Sequence, residues 1–168
     1  MELKEARERF VQAWGTLGSN WGINRTMAQI HALLLVSPDP LSTEDIMEEL
    51  QISRGNCNMT IRALIDWGLV QKEFVTGERR EFFIAEKDIW KVFKQVVKER
   101  RKRELEPVFK VLAEVKQVNG DKKDRKIKTF VDTIESIDQF AHRADLALDK
   151  LVRADEHWFV GSVMKLIR

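Results

Sequence analysis

A mainly α fold with one small β-hairpin wing is predicted by three observations. Two short helical patterns lie close together over residues 41–66, two strand patterns flank a glycine-bearing loop over 69–84, and the C-terminal third carries long heptad-like apolar spacing. That order describes a winged helix-turn-helix followed by long C-terminal dimerisation helices. The divisions it suggests are an N-terminal helix over 1–22 contributing to a dimer interface, the winged unit over 23–87, and a helical linker and dimerisation region over 88–168.

The first element follows from Leu3, Ala6, Phe10, Trp14, Leu17 and Trp21, which recur at steps of three and four and would form one continuous apolar seam on a helix. Gly15, Gly18 and Gly22 weaken its second half, so a break is expected near 18–22. Asn24 or Thr26 can open a second helix through Met27, Ile30, Leu33, Leu34 and Val36, and Ser37-Pro38-Asp39-Pro40 ends it.

Ser42, followed three residues later by Asp45, is a start signal: the hydroxyl can cap free amides while the carboxylate faces them. Ile46, Met47 and Leu50 share one face of the short helix that results. Gln51-Ile52-Ser53 leaves room only for a sharp corner, with Ser53 as the cap of the next helix. There Cys57, Ile61, Leu64 and Ile65 make an inward stripe. On the opposite side Arg54, Asn58 and Arg62 follow at four-residue steps, with Asn56 and Met59 beside them and Gly55 permitting a close backbone approach.

Such a side-chain set suits the major groove. Arg bonds bidentately to guanine, Asn to adenine, and an apolar tip such as Met59 meets a thymine methyl. Ser42, Thr43 and Ser53, at the two helix starts, complete the expected contacts from this side.

Gly68 can take the left-handed conformation that ends helices, and strand patterns follow over Leu69–Val75 and Arg80–Ile84. Between them Thr76-Gly77-Glu78-Arg79 supplies a turn that would lay Arg79 or Arg80 on phosphate or in the minor groove. Asp88 can cap a helix through Ile89, Val92, Phe93, Val96 and Val97. Lys98 to Glu104 holds no apolar residue and is expected to be a solvent-exposed strut. Leu105, Val108, Phe109, Leu112 and Val115 then restore an apolar face, with Pro107 marking a kink or restart. Phe130, Ile134, Ile137, Ala141, Ala144, Leu148 and Leu151 then alternate steps of four and three, a coiled-coil seam that Phe140 and Ala147 widen. A last amphipathic segment, Asp155 to Ile167, adds Trp158, Phe159, Val163 and Leu166.

The 168 residues suffice for one or two modest domains with a real core. A net charge of +2 does not by itself argue for a nucleic acid, but between Lys91 and Arg103 seven basic residues stand against one acid. A solvated helix face explains that run better than contact with flanking phosphates. The single Cys excludes an intramolecular disulfide, and the alternating charges of the first nine residues contain no apolar signal core. Both lead to the expectation of a cytoplasmic protein without a membrane partner. His31, His142 and His157 have no partner at ligand spacing, so no metal site and no cofactor is expected. No phosphate loop or nucleophile with its base is present, so no catalytic residue is expected either. Cys57 on the inward stripe reads as a buried structural thiol.

With these elements located, the chain resembles the GbsR/MarR-type winged-helix transcriptional regulators, above all the GbsR branch. The carrying residues are Trp14-Gly15 through Trp21-Gly22, Pro40-Leu41-Ser42, the run from Ser53 to Leu64, Trp67-Gly68-Leu69-Val70, Gly77-Glu78-Arg79-Arg80 and Ala85 to Trp90. They cover about residues 10–110; beyond that, helical character and length agree. The resemblance implies a homodimeric regulator on a palindromic double-stranded DNA operator, released by a small-molecule effector. For a quaternary ammonium of the choline type, Trp14, Trp21 and Trp90 are the candidate aromatic faces. The chain has five Trp but no Tyr, so at these spacings core and dimer packing is the plainer role of the tryptophans. Dimer contacts are expected from Phe10 and Trp14 together with the seam from Phe130 to Leu151. The residues themselves leave a second class open: a winged-helix module that docks proteins without reading DNA.

Overall fold

The computed structural model describes residues 1–120 and 124–154. It divides into two compact units, one spanning Met1–Val92 and the other beginning at Phe93. The segment from Asp155 to Ile167, with its expected amphipathic helix, lies outside the described residues.

The first unit is built around α2 (Arg25–Val36), with Asn24 as its N-cap accepting from the Met27 amide. Ile30, Leu33 and Leu34 of α2 are fully buried. Helix α1 (Leu3–Asn20) lies along it and runs unbroken through Gly15 and Gly18 before Gly22 turns the chain at φ 74°. The two glycines serve close approach: a Cβ on Gly18 would sit 2.6 Å from Ala28 Cβ, and one on Gly15 would sit 2.6 Å from Gln29 Cγ. Packing against α2 outweighs the weak helix propensity of both residues. The face of α1 turned inward is therefore Val11, Gly15 and Gly18. The expected seam lies about a quarter turn round the helix, with Leu3, Leu17 and Trp21 exposed and Phe10 and Trp14 half-buried.

Strand β1 (Leu41–Ser42), too short to leave a periodic signature, pairs with β3 (Phe82–Ala85), which also pairs with β2 (Val70–Glu73). The sheet is antiparallel in the order β1-β3-β2. Both hairpin strands are shorter than their sequence patterns, because the ladder ends at the Glu73–Phe82 pair. Helix α3 (Thr43–Leu50) starts on a capping box between Ser42 and Asp45, and those hydrogen bonds hold the Asp45 carboxyl below its ordinary range. Gln51, at φ 52°, turns the corner into α4 (Arg54–Asp66), which Ser53 caps through the Asn56 amide. Cys57, Ile61 and Leu64 of α4 and Ile46 of α3 are buried in the core.

Lys87, just past β3, closes the far end of α2. Its Nζ donates to the carbonyls of Leu34, Leu35 and Ser37 at 2.7–2.8 Å, satisfying acceptors that a helix C-terminus leaves free. Asp88 then caps α5 (Ile89–Arg100) through the amides of Trp90 and Lys91. The unit boundary falls inside this helix.

In the second unit a π-helical turn (Arg101–Leu105) leads into α6 (Glu106–Val115), with Pro107 in its first turn. Pro107 has no amide to return to the carbonyl four residues back, and its ring crowds that carbonyl, so the register widens there. Helix α7 (Arg125–Arg153) runs antiparallel to this segment: Lys116 pairs with Asp138, the Phe109 ring lies tilted against His142 at 4.5 Å, and Arg101 reaches Asp145 and Asp149. Lys98 to Glu104 is therefore no bare strut. Glu99 is buried beside Arg103, and Arg101 holds Asp145 in a two-pronged contact that keeps that carboxyl below its usual range. Ion pairing, invisible to apolar periodicity, is what orders the stretch.

The face of α7 used inside the chain is Asp138, Ala141, His142, Asp145 and Asp149. The expected seam again stands about a quarter turn away, sharing only Ala141. Phe130 and Ile137 are exposed, while Ile134, Ala144, Leu148 and Leu151 are half-buried.

Candidate nucleic-acid interface

Helix α4 buries Cys57, Thr60, Ile61 and Leu64, and so turns Arg54, Asn58, Met59 and Arg62 outward. Met59 is 68% exposed, a large apolar side chain with no cover from its own chain. Gly55 is exposed, and a Cβ there would meet nothing within 4 Å. Ser53 is exposed as the cap. Asn56 is half-buried, and its Oδ1 accepts from the Thr60 hydroxyl at 3.2 Å.

The cations of this face differ in how far they are committed. Arg54 donates to Glu44 of α3 at 2.6 Å, whereas Arg62 makes no ion pair or side-chain hydrogen bond among the described residues. On the wing, Arg79 is equally unpartnered among the described residues and exposed. Arg80 is held back: it pairs with Glu78 at 3.3 Å and lies over the Phe82 ring at 5.3 Å. Lys72 pairs with Glu81 across the hairpin.

Ser42 and Thr43, expected among the duplex contacts, are both buried. Ser42 is engaged in the Asp45 capping box and in the β1 pairing, which commits its side chain within the chain. Cys57 is sealed beneath the helix, its Sγ 3.8 Å from the Thr43 carbonyl. Burial, with Glu44 nearby, pushes its thiol up to about 11, which keeps it protonated and inert at neutral pH. Glu44 was not legible as a partner of Arg54, since the two lie ten residues apart on different helices.

Trp14 lies 5.4 Å from the Phe10 ring and 6.5 Å from His31, Trp21 is exposed at the end of α1, and Trp90 is half-buried in the first turn of α5. Among the described residues no group of three or more His, Cys, Asp or Glu could hold a metal ion, and no helix is long and apolar enough to cross a membrane.

Two helices joined by a tight corner, a three-stranded sheet whose hairpin forms a wing, and an outward stripe of Arg and Asn on the second helix define a winged helix-turn-helix protein. Residues 21–81 match the profile of the MarR family. Among curated proteins it is similar to the HTH-type transcriptional repressor GbsR of Bacillus subtilis (strain 168). That match is 26% identical over 104 residues, covering 62% of this chain and 57% of GbsR. The HTH-type transcriptional repressor OpcR of the same organism is 19% identical over 91 residues, covering 54% of this chain and 49% of OpcR. The chain thus spans about half the length of the curated relatives it matches. A crystal structure of a transcriptional regulator has the same fold, with a TM-score of 0.57 at 20% identity over 86% of this chain and 99% of that one.

Proposed function

We propose that the chain is a sequence-specific DNA-binding transcriptional regulator of the GbsR branch, acting in the cytoplasm as a homodimeric repressor on a palindromic operator and relieved by a small effector. The observation that carries this reading is the outward face of α4. Arg54, Asn58 and Arg62 stand in line on solvent, with Met59 between them and an uncommitted Arg79 on the wing of the same unit. Base edges would be read by α4 and phosphate or minor groove by the wing.

Dimerisation is supported by two helices, α1 and α7, each of which packs within the chain through one stripe and leaves a regular apolar seam beside it. A twofold pair would present two copies of α4 about 34 Å apart, one turn of duplex. The GbsR relative is named a repressor, which favours repression here. Trp14, Trp21 and Trp90 supply the aromatic faces for a cationic effector.

The test is to select bound sequences from random duplex and measure affinity across a salt series. A specific reader loses affinity steeply with salt; Arg62→Ala costs about 1–3 kcal/mol and relaxes sequence preference, while Arg79→Ala weakens all sequences alike. Absence of salt-dependent duplex binding by the parent protein would overturn the reading.

A further inference from the structure

The side chain the proposed interface leaves unexplained is Phe74. At 96% exposure it is the most exposed large hydrophobic side chain among the described residues. It stands at a defined place: the β2–β3 ladder closes at Glu73–Phe82, and the next residue outward is Phe74. A turn follows over Val75–Glu78, closed by the Glu78 amide on the Val75 carbonyl at 3.1 Å, with Gly77 at the third position at φ 86°. That positive φ is what a type II turn needs there. Phe74 and Arg79 therefore flank the turn, one on each side of the wing tip.

We propose that Phe74 is an apolar minor-groove contact of the wing, seated against sugar and base edges while Arg79 beside it takes the phosphate or groove floor. The inference rests on the DNA-binding reading above. Three features of the tip favour a duplex over other occupants. The neighbouring basic groups Lys72 and Arg80 are neutralised by Glu81 and Glu78, so Arg79 is the tip's uncommitted cation, and it sits directly across the turn from the aromatic. An apolar wedge next to a free guanidinium matches the minor groove, whose walls are deoxyribose and whose potential is negative. The tip also belongs to the same winged unit as the Arg54, Asn58 and Arg62 face, and it is no part of α1 or α7, the helices that carry the seams assigned to dimerisation.

The test uses the full chain, duplex selected by the parent protein, and affinity measured by anisotropy from low to moderate salt. Phe74→Ala should weaken binding about tenfold, as loss of an aromatic contact to a nucleotide does. Its salt slope should stay at the parent value because no phosphate contact is lost, whereas Arg79→Ala should reduce the slope by about one. Phe74→Leu, which keeps apolar bulk, should recover most of the affinity. The thermal midpoint of all three should match the parent, since neither side chain is packed.

Parent-like affinity for Phe74→Ala, with the parent itself binding duplex, would overturn this inference and leave the DNA reading intact. A Phe74→Ala protein whose sedimentation changes without DNA would assign the side chain to a protein interface and overturn it equally. A parent that binds no duplex would remove both.

Discussion

The carboxylate of Glu44, in the first turn of α3, holds the guanidinium of Arg54, in the first turn of α4, at 2.6 Å. The ion pair bridges the helix-turn-helix at its solvent edge and fixes where Arg54 can reach. Both side chains are substantially exposed, so Glu44→Gln should alter stability by less than about 1 kcal/mol. Duplex binding should respond differently. Releasing Arg54 removes a nearby negative charge and frees the side chain, so affinity for scrambled duplex should rise while preference for the selected sequence narrows. An unchanged ratio of selected to scrambled affinity would show that Arg54 is not positioned by this pair.

Two glycines predict opposite outcomes. Gly18→Ala places a Cβ 2.6 Å from Ala28 Cβ between packed helices and should cost about 1–3 kcal/mol of stability by forcing α1 from α2. Gly55→Ala meets nothing within 4 Å and should gain roughly 0.5 kcal/mol by stiffening α4. On the proposed interface the added methyl of Gly55→Ala stands where a duplex backbone approaches, so binding should weaken as stability rises. Denaturant unfolding and duplex titration of the two variants check both signs.

His31 is buried beside Trp14, and its Nε2 has no hydrogen-bond partner among the described residues. Burial, with the charge of Lys87 adding to it, pushes the imidazole down to about 4. Below pH 6.5 the unfolded chain therefore takes up a proton that the folded chain refuses until about pH 4, so stability is complete above 6.5 and falls as pH drops through that window. The total is roughly 3 kcal/mol. His31→Leu should flatten the dependence between pH 6.5 and 4 in chemical unfolding. The loss that sets in below about pH 4, as depressed carboxyls such as Asp45 and Asp145 protonate, should remain.

Ile137 and Leu148 lie on the α7 seam, away from the ion pairs to Lys116 and Arg101 that hold α7 within its own unit. Replacing both with Glu should leave helical content near that of the parent and abolish self-association. It should also lower operator affinity, because one half-site contact loses its partner. A dimer persisting in sedimentation would refute the seam as the interface.

Much of the winged unit could be read in advance. Ser42 with Asp45, Ser53, Asn24 and Asp88 each start a helix through partners two or three residues away, and Gly68 turns left-handed after α4 at φ 68°. The outward stripe of α4 follows from the same short-range periodicity, because burying Cys57, Ile61 and Leu64 leaves Arg54, Asn58 and Arg62 no other side. The wing was legible as a hairpin, though its pairing ends sooner than its apolar pattern.

What the chain spells out alone is thus every feature whose partners lie within a turn of helix or a step of strand: the helix starts, the corner, the wing and the polarity of α4. Contacts between residues distant in the chain settled the rest. Gly15 and Gly18 pack closely on α2 where propensity suggested only a weakened helix, and Ser42 is buried where its type suggested contact with a duplex. Lys87 closes a helix some fifty residues earlier, Glu44 restrains Arg54, and Arg101 docks on Asp145. Periodicity carries no record of such meetings, since it reports which face of an element is apolar and not what that face, or a charge beside it, will touch once the elements have packed.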